Sequence, residues 1–126
     1  WALGLRRGRH RTTLTFNGPV QGGAMKTREE IESAVEDADA VHAVLRSLGF
    51  HPWFRYQKHR EELRAPGVVV AIDETPAGVF VEIEGDAAGI TALARGVGRE
   101  PDDYILDSYR GIWVAAHGAD AGDMLF

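Results

Sequence analysis

Hydrophobic and polar positions alternate along much of this chain, and the alternation changes to a three-to-four-residue period in three places. Residues 79–85 (VFVEIEG) form the sharpest alternating run, with Val79, Val81 and Ile83 on one side and Glu82 and Glu84 on the other. Residues 9–17 (RHRTTLTFN) alternate as cleanly: Thr12, Leu14 and Phe16 share one face, while Arg9, Arg11, Thr13, Thr15 and Asn17 share the other. Asn17, Gly18 and Pro19 stop that strand, and residues 20–24 with their paired glycines read as a loop. Residues 68–73 (VVVAID) predict a buried strand. The turn at residues 74–78 (ETPAG) then returns the chain into VFVEIEG as an antiparallel hairpin.

Helical spacing begins after Asp37 or Asp39, either of which can cap it. Val41, Val44, Leu45 and Leu48 form the apolar stripe and Gly49 sits at the stop. Ile90, Leu93, Ala94 and Val97 repeat the pattern before Gly98. A last helix is expected within residues 104–116, capped by Ser108 and weakened at Gly111. Residues 26–35 (KTREEIESAV) fit a helix by composition. As a strand they would set Lys26, Arg28, Glu30 and Glu32 on one face. Residues 53–64 open with Trp53, Phe54 and Tyr56 and, if extended, align Lys58, Arg60 and Glu62.

Composition narrows the class without naming a chemistry. A chain of 126 residues, 44% hydrophobic and 26% charged, suits a single domain, and no repeat or linker divides it. It has no cysteine, which removes disulfides, thiolate metal sites and cysteine nucleophiles together. No apolar run approaches the roughly 20 residues that span a bilayer, so a cytoplasmic protein with no membrane partner is expected. The net charge of −5 does not suggest nucleic acid as a partner. Five histidines are scattered without metal-ligand spacing and favour surface positions over a zinc site.

The candidate chemistry lies in the charges that alternation gathers on strand faces. For any one strand a solvated face is the simpler reading, with cross-strand ion pairs contributing about 0.2 to 1 kcal/mol each. Several such strands in one sheet would make a polar interior that is costly to dry unless something ionic fills it. A polyanion accompanied by divalent cations meets that demand, since guanidinium and ammonium groups hold phosphate oxygens and carboxylates hold the metal.

Leu5-Arg6, LTFNGP at residues 14–19, REEIE at 28–32, LGF at 48–50, KHRE at 58–61, Asp73, GVFVEIEG at 78–85 and Ser108-Tyr109 occur in this order across nearly the whole chain. Together they resemble the CYTH superfamily, the triphosphate tunnel enzymes that include class IV adenylate cyclases and thiamine triphosphatase. The resemblance implies an α+β fold, an antiparallel β-barrel open as a tunnel with a few flanking helices, and makes residues 26–35 a strand. It implies that Arg6, Arg11, Arg28, Lys58 and Arg60 bind a triphosphate, and that Glu30, Glu32, Asp73, Glu82 and Glu84 serve Mg²⁺ or Mn²⁺. ATP, thiamine triphosphate and tripolyphosphate are the implied ligands, processed by cyclisation or by hydrolysis.

Two features depart from the family pattern. No ExExK strand precedes Leu5, and Asn17 stands where the family usually has lysine. The barrel is therefore expected to be incomplete at its N-terminus, through truncation upstream of Trp1. An unpaired edge left there would invite a second copy of the chain to form a homodimer.

Overall fold

The computed structural model describes every residue, Trp1–Phe126, as two compact units, Trp1–Pro52 and Trp53–Phe126. The fold is α+β. Its named strands pair as two three-stranded antiparallel sheets, and no closed barrel is formed by this pairing.

In the first unit, β1 (Ala2–Arg7), β2 (Thr12–Asn17) and β3 (Glu30–Val35) lie in the order β1-β2-β3. The expected strand over residues 9–17 is shorter at its start. Gly8 N–H donates to the Arg11 carbonyl at 2.9 Å, which turns residues 8–11 into a hairpin and leaves Ala2–Arg7 as a strand of its own. Residues 26–35 hold no helix; the regular strand runs Glu30–Val35, and Thr27 ahead of it forms an isolated bridge with Gln21. Gly18 N–H donates to the Glu29 carbonyl at 2.8 Å and guides the chain into the strand. Register sets Arg6, Thr13 and Ala34 in one row, Gly4, Thr15 and Glu32 in the next, and Ala2, Asn17 and Glu30 in the third. All point to the same face.

Helix α1 (Ala38–Ser47) starts where Asp37 accepts from the Ala40 N–H at 3.0 Å. It ends in a Schellman arrangement around Gly49, whose φ of 95° suits glycine. Gly49 N–H donates to the Arg46 carbonyl and Phe50 N–H to that of Leu45, which satisfies the carbonyls left over at the last turn.

In the second unit, β4 (His59–Ala65), β5 (Val68–Thr75) and β6 (Gly78–Gly85) lie in the order β4-β5-β6. The β5–β6 turn is tighter than expected, because Thr75 continues the strand and its hydroxyl donates to the Gly78 carbonyl while accepting from Ala77 N–H. Helix α2 (Ala87–Gly96), capped by Asp86, packs on β6 at the end where Val68 is buried. Gly89 permits this approach, since a Cβ there would stand 2.7 Å from a Val68 methyl. Helix α3 (Tyr109–His117) is capped by Ser108, which accepts from Gly111 N–H at 3.1 Å. The C-terminal segment had no sequence signal, yet Met124 is wholly buried and joins Tyr56 in a parallel bridge. Asp123 clamps the same segment by accepting from both the backbone N–H and the Nε of Arg55.

One result runs against the usual sense of alternation. In the first unit the buried strand side chains are Thr13 and Thr15, on the polar face, while Ile31 on the apolar face is exposed. In the second, Asp73 and Ala71 are covered on the polar face, and Leu63, Val79 and Val81 stand open on the other. Each sheet covers part of its polar side.

Candidate functional site

Ten charged residues were singled out by the resemblance. Arg6, Arg11, Arg28, Glu30 and Glu32 fall in the first unit and Lys58, Arg60, Asp73, Glu82 and Glu84 in the second.

The second unit brings all five of its residues into one charged network. Register places Arg60 opposite Asp73, Glu82 opposite Ala71 and Glu84 opposite Val69, so Arg60, Asp73, Glu82 and Glu84 emerge on one face. Asp73, fully buried, is the hub. Its Oδ1 accepts from Arg60 Nε at 2.6 Å. Its Oδ2 accepts from Arg60 Nη2 at 2.7 Å, from Lys58 Nζ at 2.7 Å and from the Tyr109 hydroxyl at 2.6 Å. Arg60 continues outward: Nη2 also donates to Glu82, and Nη1 lies 3.9 Å from Glu84. Exposure rises along the same line, with side chains 0% accessible at Asp73, 23% at Arg60, 33% at Glu82 and 65% at Glu84. At the buried end two cations share the Asp73 carboxylate, and at the outer end Glu82 and Glu84 turn toward solvent.

Electrostatics follow from these contacts. Burial pushes the Asp73 carboxyl up, but hydrogen bonds from Arg60, Lys58 and Tyr109 outweigh it and hold the group well below the usual carboxylate range. The hydrogen bond to Asp73 holds the Arg60 guanidinium firmly protonated. Burial, then the bond to Asp73, raises the Tyr109 hydroxyl above its ordinary value, so it remains a donor. Tyr109 packs 5.4 Å from Phe80 and 6.0 Å from Tyr56 between ring centres, and its hydroxyl completes the Asp73 shell. The Lys58 ammonium lies 5.2 Å from the centre of its ring. A helix cap directly before a tyrosine was the available signal for it, but nothing local says that its hydroxyl meets a strand carboxylate.

The first unit is looser. Glu32 accepts from Arg11 Nη2 at 3.2 Å and from the Thr15 hydroxyl at 3.3 Å. Arg6, Glu30 and Glu32 share the face set by register, whereas Arg11 stands in the hairpin turn and Arg28 precedes β3. Asn17, opposite Glu30, keeps a buried Oδ1 without a hydrogen-bond partner.

The chemistry of these donor sets can be judged for a divalent ion. No three of the histidine, aspartate and glutamate side chains converge as a ready-made cage. Mg²⁺ is commonly held by one or two carboxylates with the remaining positions filled by water and substrate phosphates, and two outward-facing glutamates suit that pattern. Glu82 with Glu84, and Glu30 with Glu32, are such pairs.

The profile of the CYTH domain matches residues 2–101, most of the chain. The chain belongs to the CYTH family. CYTH proteins bind triphosphate compounds and are generally metal-dependent. A Methanocaldococcus jannaschii protein named "Putative adenylate cyclase" is 33% identical over 72 residues, covering 56% of this chain and 41% of that protein. This CYTH chain thus spans less than half of that relative. A solved structure of a conserved hypothetical protein from Pyrococcus furiosus superposes with a TM-score of 0.74 at 21% identity, over 87% of this chain and 73% of that one. That likeness concerns the fold. No helix is long and apolar enough to cross a membrane.

Proposed function

We propose that this CYTH chain binds a linear triphosphate together with Mg²⁺ or Mn²⁺ and takes part in its cyclisation or hydrolysis. The observation that carries the reading is the Asp73 hub, which holds two cations, Lys58 and Arg60, beside two solvent-facing carboxylates on one sheet face. Lys58 and Arg60 offer the triphosphate oxygens donors whose positions are set in advance, which lowers the cost of ordering them on binding. Arg60 suits a planar, two-point grip on phosphate and Lys58 a point charge. Glu82 and Glu84 would hold the metal in the second unit; the first unit, taken by itself, offers Glu30 and Glu32 as a similar pair and Arg6, Arg11 and Arg28 as phosphate-binding candidates. When bound, the metal would supply charge neutralisation at the phosphates.

Asp73 takes a different part from the one the resemblance implies. Its carboxylate is fully buried and already accepts four hydrogen bonds, three at Oδ2 and one at Oδ1, from Lys58, Arg60 and Tyr109. In this reading Asp73 positions Lys58 and Arg60, and the metal is left to the glutamates.

Calorimetry with tripolyphosphate, ATP and thiamine triphosphate, each with Mg²⁺ or Mn²⁺, tests binding. Assays for phosphate, pyrophosphate and cyclic AMP then separate hydrolysis from cyclisation. Absence of binding to all three ligands at low salt would sink the proposal. A second reading, a binding module without turnover, is favoured by Asn17 in place of the family's lysine. Tight binding with no product in any assay selects it.

A further inference from the structure

Arg60 occupies the place in the second unit where a divalent ion would be expected. Its guanidinium is the one cation within ion-pair reach of Glu82 and of Glu84. Two glutamates two positions apart on a strand face repel each other, and in this arrangement the arginine offsets that repulsion. Its geometry permits more than one partner set, because a guanidinium carries five donors in a flat fork. Nε and Nη2 grip Asp73, which Lys58 and Tyr109 hold independently, whereas Nη2 and Nη1 reach the two glutamates at the more exposed end. The inner anchor can persist while the outer contacts exchange.

We infer that Arg60 is an internal counter-cation that occupies the Glu82–Glu84 pair until a triphosphate arrives. On binding, Arg60 transfers its outer donors to phosphate oxygens, and Glu82 and Glu84 are released to a divalent ion. This rests on the triphosphate reading above and adds how the two ligands are coupled at that site. A divalent ion offered alone must displace a charge-assisted hydrogen bond with nothing to receive the freed guanidinium. A triphosphate provides that receiver, so each ligand strengthens the other at this site. Coupling free energies between ligands commonly correspond to about 5- to 150-fold in affinity.

The decisive measurement is binding of Mn²⁺ alone, by the loss of the free-ion paramagnetic resonance signal, to the whole chain and to Arg60→Gln and Lys58→Gln. Arg60→Gln is expected to bind Mn²⁺ more tightly, within the roughly 5- to 150-fold range, while its affinity for tripolyphosphate falls. Lys58→Gln removes an equal charge from Asp73 but none from Glu82, and is expected to change Mn²⁺ binding much less. Adding Glu82→Gln to Arg60→Gln should abolish the gain. The inference is overturned if Arg60→Gln leaves Mn²⁺ affinity unchanged or lowers it, or if Lys58→Gln produces an equal gain, which would make net charge the cause. Should Arg60→Gln not fold, Arg60→Lys decides the matter, since lysine keeps a charge at Asp73 without a fork to span to Glu82. A smaller gain in Mn²⁺ affinity supports the inference and no gain rejects it. Wild-type protein that binds Mn²⁺ and tripolyphosphate together while the variants show no gain defeats only this inference. Wild-type protein that binds neither, alone or combined, defeats the triphosphate reading with it.

Discussion

At the residue scale, Asp73 is shared by two cations that are themselves mostly covered, with side chains 13% accessible at Lys58 and 23% at Arg60. Asp73→Asn leaves Lys58 without a carboxylate and Arg60 with only its outer contacts, and is expected to destabilise the protein by about 3 to 5 kcal/mol, read from urea unfolding. Its pH dependence has a definite sign. The folded carboxyl lies below its ordinary value, so its contribution is complete above the unfolded value near about 4 and is lost as pH falls from there through the lower folded value. The urea midpoint of the wild type should therefore drop on acidification below about pH 4, and Asp73→Asn should flatten that drop. Asn17 is the other informative position. Its orphaned buried oxygen gives the folded state an unmet hydrogen-bond demand. Asn17→Lys removes that oxygen and sets a cation opposite Glu30, so tripolyphosphate binding should tighten by about tenfold, or about 1.4 kcal/mol, in calorimetry. Lys58, Arg60, Glu82 and Glu84 were legible as residues because charges at every second position stand out in a strand. The role of Tyr109 was not, because its partner is 36 residues away in sequence.

At the scale of elements, helix caps and glycine stops behaved as local signals should. Gly49 and Ser108 act where the sequence places them, and of the two candidate caps Asp37 and Asp39 it is Asp37 that caps α1, since each interaction is made within a few residues. The hairpin at residues 8–11 was missed for the opposite reason: the run of alternating residues continues through it, and only the pairing of β1 with β2 shows that the chain reverses. Helix α3 carries Tyr109 into the charged network, so its cap bears on the site. Ser108→Ala should cost about 1 kcal/mol of stability. It should also weaken tripolyphosphate binding through a looser Asp73 shell, by less than Tyr109→Phe does. Thermal unfolding and calorimetry on the two variants check the order; equal binding in both would separate α3 from the site.

Across the whole molecule, a chain of net charge −5 is proposed to hold a polyanion. Long-range attraction cannot supply that affinity, so a divalent ion and a few localised cations must. Tripolyphosphate binding is accordingly expected to weaken at least about tenfold when EDTA replaces Mg²⁺, and to weaken further with rising salt as exposed contacts such as Arg11 to Glu32 are screened. Alternation along the chain was enough to say which side chains share a face, because a strand has a period of two whatever surrounds it. It could not say which face is covered. Burial belongs to whatever packs on a strand from elsewhere in the chain: Tyr109 from α3 closes over Asp73, and α2 shields only the Val68 end of the opposite face. Leu63, Val79 and Val81 thus stay open while a carboxylate is buried, a reversal that depends on contacts distant in sequence. The types and spacing of the site's charges were local facts, and their assembly around Asp73 was a property of the folded chain alone.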